Sequence, residues 1–558
     1  MHSGALYFMF SALLFAACPN GLGAQSTTTG GLTGVLTDPS GAIVPDAVVE
    51  LKDNLKGDTQ STRTNGEGVY LYSFLRPGSY VLTVTHPGFR ATSRTLYISL
   101  GPPGTLNIQL VLESSAGVTV TVLDEAPLLK AENGDASTTI SQLQVSQVPN
   151  PGNDLTYVAQ IAPGVIMNTD VSGFTNFSSL GMPGTSNLLT LNGMSYNELG
   201  SNTPLTGALN LLLGLNQVQE ATVVSDGYSG TFGSAAGTNV NYITKSGGDK
   251  FHGNASYYWN GRILNANDWI SNAIGLPRAF DNANQWGASF GGPIKKNKLF
   301  FFFDTEGISL MLPAPLFTIN LPSPLFETAT LANIEAKFGQ NSASDKFYRQ
   351  MFNLYNATLG ASAAFPGPFG GGLGCYGFTG PEGLGTTEPC AVHFATTRSS
   401  PSNESLESGR IDWNLGTNDR VFFLVQYDHG HQASYLDPIN PLFDYSSDQP
   451  WWQGQLSETH SFGTSAANQF LAAGWWFSAI FQPKDYSKAL AAFPTTLDWN
   501  TNGTFTNLGG GDNLGIFGRN TTQYQISDDF AKSFRGHKLA FGVSFLRADW
   551  SSYNYTYN

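Results

Sequence analysis

After residue 24 the chain holds no run of about 18 apolar residues, the length a helix needs to cross a bilayer, but it holds many stretches in which apolar and polar residues alternate. A backbone in lipid has no water to pair with, so such a chain enters a membrane only as strands closed into a barrel. The alternating stretches cover residues 408–414, 420–428, 453–462, 469–478, 523–534 and 537–550. They suit a wall with one lipid face and one polar face. The match is imperfect over 420–428, where Val421, Phe423 and Val425 share one face and Phe422, Leu424 and Gln426 the other. Charged residues make up only 12% and aromatics 13%, with 63 glycines. Soluble proteins average about 25% charged. Composition alone leaves a secreted all-β protein equally open.

The first residues read as an export signal. Residues 5–17 are apolar but too short to span, and Ala24 precedes a plausible cleavage point; Cys18 offers lipoprotein processing as the rival. A net charge of −14 argues against nucleic acid as a partner. After export Cys375 and Cys390 remain, in a Gly/Pro-rich stretch. An oxidising compartment predicts that they form a loop disulfide.

Residues 30–113 show short strand signals about ten residues apart, broken by turn clusters such as Asp38-Pro39-Ser40-Gly41 and Asn65-Gly66-Glu67-Gly68. The pattern Gly34, Asp38, Gly41, Pro45, Ala47, Thr64, Gly68, Tyr70, Leu75, Pro77, Gly78, Tyr80, Val84, Gly88 and Phe89 resembles the carboxypeptidase regulatory-like domain. That resemblance implies a prealbumin-like β-sandwich classed with carbohydrate-binding folds, without catalytic residues. Residues 114–137 form a linker whose Val118, Thr119, Val120, Thr121 and Val122 resemble a TonB box, which implies strand addition to a periplasmic energising protein. Residues 138–247 resemble an α/β plug domain. Leu188 to Leu191 runs into Asn192-Gly193, a strong hairpin signal because both turn positions favour positive φ. Phe232, Gly233, Gly237, Asn241, Thr244, Lys245, Ser246 and Gly247 resemble the plug-to-barrel junction of Oar-like TonB-dependent receptors. Family members often carry an acidic residue before the Phe-Gly pair and a basic one after it. Here these are Thr231 and Ser234, which puts a gating ion pair in doubt. Residues 248–558 resemble the N-terminal part of the Oar-like barrel, with a hairpin around 295–297. Irregular loops are expected over 310–401 and 483–522, with a short helix within 332–359. The strand signals are too few for a barrel of about 22 strands, so the chain reads as truncated.

Other motifs carry no chemistry. Gly287-Ala288-Ser289-Phe290-Gly291 has the nucleophile-elbow spacing, but Gly292-Pro293 follows where a helix is required, so Ser289 reads as a wall residue. His429 and His431 lack a positioned third ligand and read as a strand-end turn. The glycine cluster Gly367 to Gly374 is not followed by Lys-Ser or Lys-Thr and forms no phosphate loop. Trp451-Trp452 and Trp475-Trp476 read as interfacial girdle rather than sugar-stacking residues. The fold class expected is all-β dominated: a prealbumin-like sandwich, an α/β plug, then a partial antiparallel transmembrane β-barrel. No catalytic residue, metal or cofactor is expected. The resemblance implies an outer-membrane transporter with a periplasmic N-terminal domain. Its partners would be a TonB-type energiser, outer-membrane lipid, a surface lipoprotein and a small nutrient or oligosaccharide. The alternative is a structural or adhesive protein on the same scaffold.

Overall fold

The computed structural model describes residues 28–554 apart from 102, 114–119, 123–135, 149, 168–176, 227–234, 268, 274, 276–277, 279, 312–316, 367–389, 397, 417, 464–465, 494–504, 509–515 and 535–536. The first body is a sandwich. One sheet holds Val69–Leu75, Gly30–Thr37 and two short strands, Gly104–Thr105 and Ile108–Gln109. The other runs Thr59–Arg63, Val48–Asp53, Gly78–Thr85, Thr92–Ile98 and finally Val120–Val122. Leu32, Leu36, Val49, Leu51, Tyr70, Leu82 and Val84 fill the space between the sheets. The turns close as their residues dictate: Asp38 accepts from the backbone N–H of Ser40 and Ala42, and Asn65 from those of Glu67 and Val69. Gly34 is required by a close approach, since a Cβ there would lie 1.8 Å from the Leu106 carbonyl oxygen.

The second body is a five-stranded sheet in the order Ala136–Ser141, Val218–Asp226, Asn239–Thr244, Leu188–Leu191 and Met194–Ser195. The last two are joined by the expected turn, with Asn192 at φ 49° and Gly193 at φ 87°. Helix Gln142–Gln147 starts on a reciprocal cap between Ser141 and Gln144.

The third body is a ten-stranded antiparallel wall that wraps the second. Its strands are His252–Gly261, Asn282–Lys295, Leu299–Met311, Pro401–Asn414, Asp419–Tyr435, Tyr445–Asp448, Trp451–Phe462, Ala466–Pro483, Phe517–Phe534 and His537–Asn554. Tyr445–Asp448 and Trp451–Phe462 share one wall position, pairing in succession with Asp419–Tyr435 and Ala466–Pro483. Connections at one rim are short and at the other long. Among the described residues no helix is long and apolar enough to cross a membrane, which says nothing of crossing by strands.

The long-loop rim corrects the expectation of irregular chain. Residues 317–366 and 390–396 build the three-stranded sheet Phe317–Pro322, Ala391–Thr396 and Phe365–Pro366, with helices Pro324–Phe338 and Ala343–Asn356. This cap has its own core of Ile319, Met351, Phe352, Tyr355 and Phe394, joined by Phe443 and Phe493 from neighbouring loops. The single helix expected over 332–359 is a pair. The chain breaks at Gly339 (φ 85°) and Asn341 (φ 63°), and Ser342 caps the second helix by accepting from the Asp345 N–H.

Candidate functional site between the central sheet and the wall

Inward wall residues meet the central sheet through neutral amides. Gln426 accepts from the Tyr196 hydroxyl at 2.9 Å and donates to Gln217 at 2.6 Å, while Gln453 donates to the same hydroxyl at 2.9 Å. Gln455 donates to the Leu191 carbonyl and accepts from Asn192. Gln525 accepts from the Ser195 N–H and donates to the Gly193 carbonyl, both at 2.9 Å. Gln523 takes the Leu199 N–H and reaches the Asn197 carbonyl. A glutamine amide both donates and accepts, so this ladder meets backbone groups of residues 191–199 through neutral bonds, beside one ion pair in which Arg519 of the wall reaches buried Glu198 at 2.9 Å. Trp475 adds an indole N–H to the Ser195 carbonyl, and Trp451 lies edge-on to Tyr196 at 5.2 Å. Tyr196, Gln426, Asp428, Trp451 and Gln453 border a cavity of about 10 Å³, roughly the size of one water.

At the short-turn rim the three bodies meet in a charged cluster. Asp412 of the wall is paired with Arg410 at 2.9 Å, with Lys56 of the sandwich at 3.4 Å and with Arg76 of the sandwich. Arg410 also donates to the Thr244 hydroxyl of the central sheet at 2.5 Å. Arg410 and Arg76 both stack on Phe422, 4.0 and 5.3 Å from its ring centre. Burial first, and the neighbouring Arg76 charge next, push the Lys56 ammonium down to about 8. A second tie joins Arg420 to Asp58 at 2.8 Å. Further inward, the Tyr97 hydroxyl and the Leu100 N–H of the sandwich both donate to Glu220, a fully buried residue of the Val218–Asp226 strand.

Wall carboxylates hold the remaining loops of the central body. Glu404 accepts from the Leu209 N–H at 2.7 Å, Glu306 from the Asn216 N–H at 2.5 Å, and Asp304 from the Asn216 side chain at 2.6 Å. Within the central body Asp154 accepts from the Thr156 N–H at 3.0 Å. Burial there raises its carboxyl to about 6, against those hydrogen bonds.

The expected junction residues line one continuous path. Gly237 packs on Ser186 and Asn187, Asn241 accepts from the Thr190 hydroxyl, and Thr244 bonds Asn192. Lys245 donates its ammonium to the Asn216 carbonyl at 2.7 Å, and burial lowers its titration. Gly247 packs against the paired wall residues Gly292 and Phe301, where a Cβ would lie 2.2 Å from the Phe301 carbonyl oxygen; Ser246 precedes it, half-buried. Phe232, Gly233, Thr231 and Ser234 lie outside the described residues, as do Val118, Thr119 and Cys375. Val120, Thr121 and Val122 are seen as a strand parallel to Thr92, Ser93 and Arg94. Cys390 is disulfide-bonded.

Other readings are revised. His429 and His431 sit on the Asp419–Tyr435 strand rather than in a turn, and His431 pairs with Asp448 at 2.8 Å. Of each tryptophan pair only one member faces out, because successive residues of a strand point to opposite faces: Trp452 and Trp476 do, while Trp451 and Trp475 bury against the central sheet. Ser289 lies within the continuous strand Asn282–Lys295, bonded to Asn254. Sequence reasoning missed a group at the short-turn rim, Asp419, Glu458 and His460, whose ligand atoms lie within 4.8 Å of one another. His460 is hydrogen-bonded to Asp419 at 2.5 Å, a contact that cross-strand register alone creates.

Comparison with known proteins gives the following. The profile described as outer membrane beta barrel domain matches residues 243–558, and that of the carboxypeptidase regulatory-like domain matches 31–111. The TonB-dependent transporter Oar of Myxococcus xanthus is 27% identical over 293 residues, 50% of this chain and 26% of that protein. The chain thus spans about a quarter of that relative's length. The outer membrane transporter YddB of Escherichia coli superposes with a TM-score of 0.47 at 10% identity, covering 74% of this chain and 48% of its own. The siderophore receptor PirA of Pseudomonas aeruginosa gives 0.42 at 11%, covering 75% and 49%.

Proposed function

That the chain belongs to the outer membrane beta barrel domain family is the premise from which we propose a TonB-dependent transporter that moves a nutrient across the outer membrane. The observation that carries the reading is the glutamine ladder. A plug that must shift during transport is best held by bonds that water can replace, and each neutral hydrogen bond contributes a net ~0.5–1.5 kcal/mol. The central sheet is the plug in this reading, and residues 118–122 are the contact for the energising protein. The short-turn rim and the sandwich face the periplasm, the loop cap faces outward, and the first 24 residues are removed on export. Cys375 is the partner of Cys390, stapling the cap. An oligosaccharide is the nutrient class we favour, because the sandwich resembles carbohydrate-binding folds.

The test is accumulation of radiolabelled oligosaccharides by cells that make the protein with residues 118–122 deleted. Transport predicts a loss of tenfold or more with the protein still in the outer membrane. Unchanged accumulation together with altered cell adhesion would replace transport by a structural role.

A further inference from the structure

The strand Val120–Val122 is the last member of the five-stranded sandwich sheet. It lies parallel to Thr92–Ile98, with Thr92, Ser93 and Arg94 opposite Val120, Thr121 and Val122. Thr92–Ile98 is held on its other side by the full length of Gly78–Thr85. Among the described residues no strand pairs with the outer edge of Val120–Val122. In a β-strand successive residues direct their N–H and C=O groups to alternate sides. Docking on the sandwich therefore uses one set of backbone groups and leaves the alternate set directed away from it.

We infer that the sandwich is a presentation platform: it holds residues 120–122 as a ready-made sheet edge, onto which an extended strand of the energising protein adds as the sixth strand. This deepens the energiser reading of residues 118–122 and rests on it. The physical gain is preorganisation. A free linker segment must be straightened before a strand can pair with it, and a segment already fixed in a sheet has lost that freedom. The platform is itself fixed. The strand that receives Val120–Val122 continues to Tyr97, which with Leu100 is bonded to the plug residue Glu220. The partner would thus meet its strand at a set place beneath the barrel.

The test locks the strand in place. Ser93 and Thr121 are register partners, and neighbouring strands lie about 4.7–4.9 Å apart, within disulfide reach. The double variant S93C/T121C is made in the full chain, purified in detergent, and its bond confirmed by mass. Binding is measured to the purified periplasmic C-terminal domain of the host's TonB, before and after reduction. The parent chain, taken through the same reduction, controls for Cys390. The platform predicts that the oxidised variant binds at least as tightly as the parent, by up to about tenfold if the parent strand is docked only part of the time. Reduction should return it to the parent value. A tenfold or greater loss on oxidation, restored by reduction, would overturn the proposal and make the sandwich a sequestering device. Val120→Pro and Thr121→Pro each remove one backbone donor, and the outward one must weaken binding more. If the parent and both proline variants bind alike, or none binds, the energiser reading of this segment falls, and the platform with it.

Discussion

Asp154 shows how a single buried group gives the central body a pH response. Burial raises its carboxyl to about 6 in the folded chain, against 3.8 for a free aspartate side chain. The folded state therefore holds its proton over a range where the unfolded chain has lost it. The contribution is fully present below pH 3.8 and is lost as pH rises through 6. At pH 7 the charged form is tolerated at a cost of about 2–3 kcal/mol. Asp154→Asn keeps the side-chain oxygen that caps Thr156, so it should raise stability at pH 7 by about 1–3 kcal/mol. It should also flatten the profile between pH 4 and 6, as read by thermal unfolding in detergent at stepped pH. A local signal at this scale was legible: Asn192-Gly193 announces its turn. What could not be read was partnership. Nothing near Asp412 in the sequence names Arg76 or Lys56, more than three hundred residues upstream, because such ties exist only once separate bodies dock.

At the scale of strands, the sequence located the wall but underestimated it. Expected strands 408–414, 420–428, 469–478 and 523–534 are observed as Pro401–Asn414, Asp419–Tyr435, Ala466–Pro483 and Phe517–Phe534. Most of the added length lies toward the long-loop rim. Only about 9–11 residues of a tilted strand cross hydrocarbon; beyond that band the outer face need not be apolar, so alternation fades while the ladder continues. The apparent flaw at 420–428 has a similar cause. Phe422 and Leu424 face inward yet stay apolar, because one is covered by two guanidinium groups and both join the core shared with the central sheet. Phe423 is 48% exposed on the outer face. Phe423→Arg should therefore cost roughly 1–4 kcal/mol in urea-driven unfolding from lipid vesicles, the cost falling with distance from the midplane. The same change at the exposed cap residue Leu359 should cost nothing measurable. The cap itself was hidden from sequence reasoning. Helix Ala343–Asn356 places Phe347, Met351, Phe352 and Tyr355 on one face, whereas Pro324–Phe338 mixes alanine and threonine around its circumference and shows no such stripe.

Across the whole molecule, Asp412 is the counter-charge shared by the sandwich and the wall, with the central sheet tied in through Thr244 on Arg410. Replacing it leaves Arg410, Arg76 and Lys56 packed together without it, and uncompensated buried charge costs about 3–5 kcal/mol. Asp412→Ala should thus loosen the sandwich from the barrel. Hydrogen exchange at the Asp249 and Leu100 amides, both bonded across the interfaces, should speed up on the order of a hundredfold. Amides inside the sandwich, such as Leu36 and Val44, should keep their protection. Equal acceleration at both places would mean that the substitution unfolds the sandwich rather than undocking it.

The Val120–Val122 strand and the first strand of the central sheet, Ala136–Ser141, are separated in sequence by residues 123–135, and this spacing keeps their two ladders apart in the chain. Its contour reaches roughly 45 Å when taut, at about 3.3–3.6 Å per residue. A tug on the sandwich edge would first peel away a short ladder of register pairs. Only afterwards would it load the longer ladder that zips Ala136–Ser141 to Val218–Asp226. A brief jerk would be spent on the short ladder, and only a sustained haul would reach the longer one.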